Sequence, residues 1–148
     1  FLILENLQDP GNLGTMIRTG EGAGITGVIM NQQTVDIFNP KTIRATMGSI
    51  FRVPFVYVPE LSTVLTQMHE RGIHTYAAHL KGQKYYDSFS FREPTAFLIG
   101  NEGNGLTKEI SDQAGQYLKI PMEGKVESLN ASIAAALLMY EAHRQRNL

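Results

Sequence analysis

Three short stretches of the sequence set side chains capable of chemistry among glycines. In "NLQDPGNLGTMIR" a single arginine, Arg18, follows Asn6, Asp9, Pro10, Asn12 and Gly14. In "IGNEGNG" one acid, Glu102, stands among Gly100, Asn101, Gly103, Asn104 and Gly105. In "IPMEGKVESLN" Pro121, Met122 and Gly124 lead to Ser128, Leu129 and Asn130. Glycine lets backbone N–H and C=O groups come close to a ligand. Amides and hydroxyls both donate and accept, and a guanidinium grips an anion with a planar fork.

Other chemistries fall away. The chain has no cysteine, which excludes a thiolate nucleophile, a zinc–thiolate site and a disulfide framework. His69, His74, His79 and His143 show no metal-ligand spacing, so no metal centre is expected and structural roles are. Only His79, near the end of a predicted strand, is a candidate for more, with a structural role as the ordinary alternative. The glycines at 100–105 are not a Walker A loop, because no G-K-[ST] follows. They come late and lack an acid ~20 residues on, so they are not a dinucleotide fingerprint either.

Each stretch also has a plainer reading. An Asp or Asn can cap a helix that leaves Arg18 in solvent, and Ser128 or Asn130 can cap the last helix. The second stretch reads equally as a ligand-free turn, with Glu102 favoured by a helix dipole. For a helix starting near Leu13, Gly14 and Arg18 are i, i+4 neighbours. Helical side chains lean toward the N-terminus, so Arg18 would lie over Gly14 toward Asn12.

These residues need elements to hold them. Apolar runs predict strands at 1–4, 26–31, 52–58, 74–80, 95–100 and 117–121, several apolar throughout as in strands buried on both faces. Helical patterns cover 13–23, 40–49, 60–71, 105–113 and 128–146. The alternation predicts one α/β domain over 1–148, a mainly parallel sheet flanked by helices. The three stretches follow the first, fifth and sixth strands, where such sheets bind ligands. Residues 81–94 read as a loop whose Tyr85, Tyr86, Phe89 and Phe91 cover the core or stack on a base. From Ile133 to Tyr140 the last helix is apolar on every side, which predicts a second copy of the chain against it.

Of the 148 residues, 43% are hydrophobic and 18% charged, with a net charge of -1. The basic footprint of a nucleic-acid binder is therefore absent. Lys41, Arg44, Arg52 and Arg92 are local candidates for phosphate contact, with a solvated face as the ordinary alternative. No apolar run approaches the ~18 residues of a membrane helix. The chain opens at Phe1 inside an apparent strand, so an N-terminal part, with any targeting signal, is expected to be missing.

Together the stretches resemble the three motifs of the SpoU (TrmH-type) RNA ribose 2'-O-methyltransferases of the SPOUT superfamily. The first motif, N-x-x-D-P-x-N-x-G-x-x-x-R, is carried in full by Asn6, Asp9, Pro10, Asn12, Gly14 and Arg18. The second resembles "FLIGNEGNGL" and the third "IPMEGKVESLNASIAAALLMYE". The resemblance covers nearly the whole chain in order. It implies a C-terminal deep trefoil knot, a homodimer, and S-adenosylmethionine as cofactor. The substrate would be a ribose 2'-hydroxyl of rRNA or tRNA, in a cytoplasmic protein without metal or membrane. It further implies a catalytic set of Asn12, Arg18, Glu102, Ser128 and Asn130. Cofactor contacts would come from Ala78, His79, Leu80, Ile99, Gly100, Asn101, Gly103, Ile120, Pro121, Met122, Ser128, Leu129 and Asn130. Family proposals make Arg18 a general base; a phosphate clamp is physically easier, because a guanidinium holds its proton at neutral pH. An N-terminal RNA-binding domain or extension, common in the family, would be absent from this chain. The alternatives are a non-catalytic RNA-binding module of the same fold and an unrelated α/β nucleotide enzyme.

Overall fold

The computed structural model describes all residues, Phe1–Leu148. Six strands form one parallel sheet: β1 (Leu2–Leu4), β2 (Val28–Asn31), β3 (Phe55–Val58), β4 (His74–Ala78), β5 (Thr95–Ile99) and β6 (Gln116–Leu118). Their spatial order is β3-β2-β1-β5-β4-β6. The helices are α1 (Pro10–Ala23), α2 (Pro40–Thr46), α3 (Leu61–Glu70), α4 (Lys108–Gln113) and α5 (Ala131–Arg146). The chain builds outward from β1 to β3, then fills the other side, so the order reverses between β1 and β5. Leu4 pairs with Ile99 there. A crevice at the carboxyl ends of the strands is expected beside that point.

Period-two alternation divides the core between two faces. Leu2, Leu4, Tyr76, Phe97 and Ile99 pack with α1 and α5. Ile3, Ala77, Ala96 and Leu98 pack with Leu61, Leu65 and Met68 of α3 and Ile110 of α4. All six strands and five helices sit where periodicity predicts them; their ends differ for local reasons. Helix α1 starts at Pro10, not Leu13, because Asp9 caps it by accepting from the Asn12 N–H and Pro10 occupies the first turn. Helix α2 ends at Thr46 rather than 49, since Met47 and Gly48 both take positive φ. A short 3-10 turn, Ser49–Phe51, follows. Helix α4 waits for its Thr107 cap, and α5 starts after Asn130.

The expected path of Arg18 over Gly14 is not what the glycine provides. A Cβ on Gly14 would lie 2.4 Å from the Ala45 Cβ and 2.6 Å from the Thr42 carbonyl oxygen. Gly14 lets α2 press against α1. Later in α1, a Cβ on Gly22 would meet the Tyr140 hydroxyl at 2.8 Å, so α5 also crosses close by. Gly24, at φ 74°, ends the helix in the left-handed conformation that glycine adopts freely.

Residues 81–94 are more built than a loop. Tyr85 bridges to Lys119 beyond β6, and Tyr86–Ser88 form a 3-10 turn. Phe91 is fully buried, edge-on to Tyr76 and Phe97 with centroids 5.0 Å away. Tyr86 and Phe89 pack on the same core, while Tyr85 stays half-exposed. The Gln145 side chain of α5 accepts from the Phe91 N–H at 2.6 Å and donates to the Phe89 carbonyl at 3.0 Å. That latch seats α5. One stripe of α5 remains uncovered: Ile133, Leu137 and Tyr140 are 50%, 38% and 46% exposed.

Candidate active site

The loops that leave β4, β5 and β6 at their carboxyl ends surround a cavity of about 400 Å³, within the range of small-molecule sites. Residues 78–81 form one wall, 99–106 a second, and 118–134 contribute the rest. Eleven of the thirteen proposed cofactor contacts line it: Ala78, His79, Leu80, Ile99, Gly100, Asn101, Gly103, Ile120, Met122, Ser128 and Leu129. Pro121 and Asn130 do not; each is a chain neighbour of residues that do. The lining also includes Lys81, Leu106, Lys119 and Glu127, which sequence patterns did not single out.

The 99–106 wall is a hairpin closed at its neck. Asn101 and Gly105 exchange backbone hydrogen bonds of 2.8 and 3.2 Å. A Cβ on Gly100 would lie 2.1 Å from the Leu106 nitrogen, so glycine alone permits that closure. At the tip the Asn101 Oδ1 accepts from the N–H groups of Gly103 and Asn104. His79 is held as well: its ring stacks on Tyr117 at 4.8 Å, and its Nδ1 accepts from the Lys81 N–H. Tyr117 donates to Asp112, whose carboxyl is kept below its ordinary value by Lys108 first and Tyr117 second.

The segment after β1 is tied to this wall by side chains. Asn6, at φ 56°, turns the chain, and its carbonyl accepts from the Asn101 Nδ2 at 2.8 Å. Asn6 also pairs twice with Asn31: its N–H donates to Oδ1, and its Oδ1 accepts from Nδ2. The turn aims the N–H groups of Gln8 and Asp9 at Glu102, which accepts them at 3.1 and 2.8 Å. With both backbone donors engaged, Glu102 is a holder of the first-motif loop. Asn130 caps α5 by accepting from the Ser132 and Ile133 N–H groups. Its Nδ2 donates to the Asn12 Oδ1 at 3.0 Å, joining the first and third motifs. Asn130 is thus a helix cap that also ties the first motif to the third.

Arg18 projects into solvent six residues beyond Asn12, ~9 Å along the axis at 1.5 Å per residue. Neither a hydrogen bond nor an ion pair engages its side chain. Ser128 is exposed at the cavity rim and likewise makes no side-chain bond. The other local cations divide. Arg52 is committed to Glu21, whereas Lys41, Arg44 and Arg92 have no carboxylate partner. The Lys41 Cε lies 4.0 Å from where a Gly11 Cβ would be, at the head of α1. No group of three His, Asp or Glu side chains is arranged to hold a metal ion. No helix is long and apolar enough to cross a membrane.

This arrangement has close counterparts. The chain is 37% identical over 139 residues to the 23S rRNA (guanosine(2553)-2'-O)-methyltransferase RlmP of Bacillus subtilis, covering 94% of this chain and 56% of that protein. It superposes with a TM-score of 0.92 on the SpoU methyltransferase AviRb from Streptomyces viridochromogenes, in complex with the cofactor AdoMet. That match is 34% identical and covers 99% of this chain and 57% of AviRb. The AdoMet-bound rRNA methyltransferase from Sinorhizobium meliloti matches with a TM-score of 0.89 at 36% identity, covering 97% of this chain and 55% of that one. The chain thus spans somewhat over half the length of each. The SpoU rRNA Methylase family profile matches residues 1–140. With the cavity, its three walls and the residues that tie them all in one continuous match, this chain belongs to the SpoU rRNA methylase family.

Proposed function

We propose that the chain is the catalytic domain of an RNA methyltransferase that uses S-adenosylmethionine and modifies a ribose 2'-hydroxyl of rRNA or tRNA. The observation that carries this is a cavity walled by the second and third motifs, to which the first motif is tied by Glu102 to Gln8 and Asp9 and by Asn130 to Asn12. The cavity fits the cofactor. Ile99, Leu106, Ile120, Met122 and Leu129 offer apolar surface for an adenine, and Glu102 and Glu127 bring negative charge for a sulfonium. The glycine-only neck at Gly100 brings backbone against the space. When bound, S-adenosylmethionine supplies an electrophilic methyl group.

The chain's own contribution is mostly positioning. Arg18, free of carboxylates, is available to clamp a ribose-flanking phosphate with two parallel N–H bonds. Its charge lowers the cost of an alkoxide nearby, while a guanidinium makes a poor base. Asn12 and Asn130 hold the first motif beside the cavity, where the ribose would rest, and Ser128 presents an uncommitted hydroxyl. Lys41 and Arg44 extend the positive charge from the head of α1 for further phosphates. The segments that a trefoil knot would interlace, 118–134 and the 99–106 hairpin, lie side by side at the cavity. A homodimer is supported by the stripe of Ile133, Leu137 and Tyr140.

Transfer of a tritiated methyl group to total bacterial RNA tests this reading. Label is expected with the wild type and at least a hundredfold less with Arg18→Ala, at unchanged S-adenosylhomocysteine affinity. Cofactor binding with no transfer would favour the non-catalytic module. Equal labelling by both proteins would remove Arg18 from the mechanism.

A further inference from the structure

Glu5 is a carboxylate that the chemistry above leaves unused, and it is 5% exposed with no cationic partner. It follows the last residue of β1, and its contacts reach both ends of the 100–107 segment. Its N–H donates to the Ile99 carbonyl at 3.0 Å, just before the hairpin. Its carboxylate accepts from the Thr107 N–H at 2.8 Å and the Thr107 hydroxyl at 2.7 Å, just after it. Thr107 in turn caps α4 by accepting from the Ile110 N–H. Neither Glu5 nor Thr107 lines the cavity.

We infer that Glu5 is a positioning residue for methyl transfer, acting through Thr107 to fix the hairpin that walls the cofactor cavity. The inference rests on the reading that this cavity takes S-adenosylmethionine. Two consequences follow from one grip. The wall formed by Gly100–Leu106 stays closed on the cofactor, and Glu102 stays aimed at the Gln8 and Asp9 N–H groups. A carboxylate suits the place because both oxygens accept and the bonds are charge-assisted. An amide keeps only one accepting oxygen, and the Thr107 hydroxyl, already accepting from the Ile110 N–H, would have to turn and accept from the amide as well.

Calorimetric titration with S-adenosylhomocysteine tests this on the wild type, Glu5→Gln, Thr107→Val, Thr107→Ser and Thr75→Val. Glu5→Gln should weaken binding ten- to hundredfold, on the order expected for hydrogen bonds to a charged group. Thr107→Val should fall between, and Thr107→Ser, which keeps both donors, should match the wild type. Thr75→Val removes a buried hydroxyl bonded to His69 and Gly115 on the sheet instead. It should lower Tm without changing affinity, which separates positioning from general stability. Hydrogen exchange at the Gln8 and Asp9 amides should quicken in Glu5→Gln and, to a lesser degree, in Thr107→Val, but not in Thr107→Ser or Thr75→Val. Wild-type affinity in Glu5→Gln, or equal weakening in Thr75→Val, would overturn the role of Glu5 and leave the cofactor reading standing. A wild type that binds no S-adenosylhomocysteine would overturn both.

Discussion

At Asn130 a structural contact and a proposed functional one share a single side chain. One side-chain oxygen caps α5, and the amide nitrogen on the same group reaches Asn12. Replacement by alanine should cost about 1–2 kcal/mol from the lost cap. It should also reduce methyl transfer beyond what the lost stability explains, as read by denaturant titration beside single-turnover kinetics. Aspartate at 130 keeps the oxygen and loses the donor, so Asn130→Asp should recover stability without recovering transfer. Unequal burial of such residues explains what the sequence could and could not convey. Asn12 and Glu102 stand out in the sequence because amides and acids among glycines are conspicuous, and Asn130 because it precedes a long apolar helix as a cap. Glu5 is not, since an acid ending a strand has many ordinary explanations, and only the fold brings Thr107 to it across 102 residues.

At the scale of elements, α1 is held from both sides by what its glycines allow. Gly14 admits α2, so Gly14→Ala should destabilise the chain by about 1–3 kcal/mol through overpacking against Ala45 and the Thr42 backbone. The alanine's better helix propensity offsets only part of that. Thermal unfolding of the variant checks the sign. Farther along α1, Glu21 accepts from Ser49 at 2.7 Å and pairs with Arg52. Arg52, then Ser49, hold the Glu21 carboxyl below its ordinary value. A depressed carboxyl pKa stabilises the fold above the unfolded value, and that contribution fades as pH falls through the folded one. The Tm gap between wild type and Glu21→Gln should therefore be full near neutrality and close in acid below about pH 4. A gap that persists there would assign the effect to packing. Helix and strand identities were readable from periodicity because burial enforces it. Their ends were set by caps and positive-φ residues, which periodicity does not register, and the space at Gly14 belongs to a helix partner the sequence does not name.

For the whole molecule, the sheet reversal between β1 and β5 gathers three separated motifs at one end. The opposite requirement falls on α5, whose inner face is core and whose outer stripe is apolar. Leu137→Glu should leave the fold intact and shift a homodimer to monomer by light scattering; an unchanged mass would mean that another surface joins the copies, or that none does. The parallel sheet with flanking helices was legible because alternating apolar strands and amphipathic helices admit few arrangements. A near-neutral net charge concealed any RNA-facing surface, since charge is counted over the chain while phosphate contact needs only a few cations left unpaired, such as Arg18, Lys41 and Arg44. The most direct measurement is mass spectrometry of nucleosides from bacterial RNA incubated with the chain and methyl-deuterated S-adenosylmethionine. Deuterated methyl groups on ribose 2'-oxygens, absent with Arg18→Ala, are the predicted result; label on a base, or on no nucleoside although the cofactor binds, would contradict it.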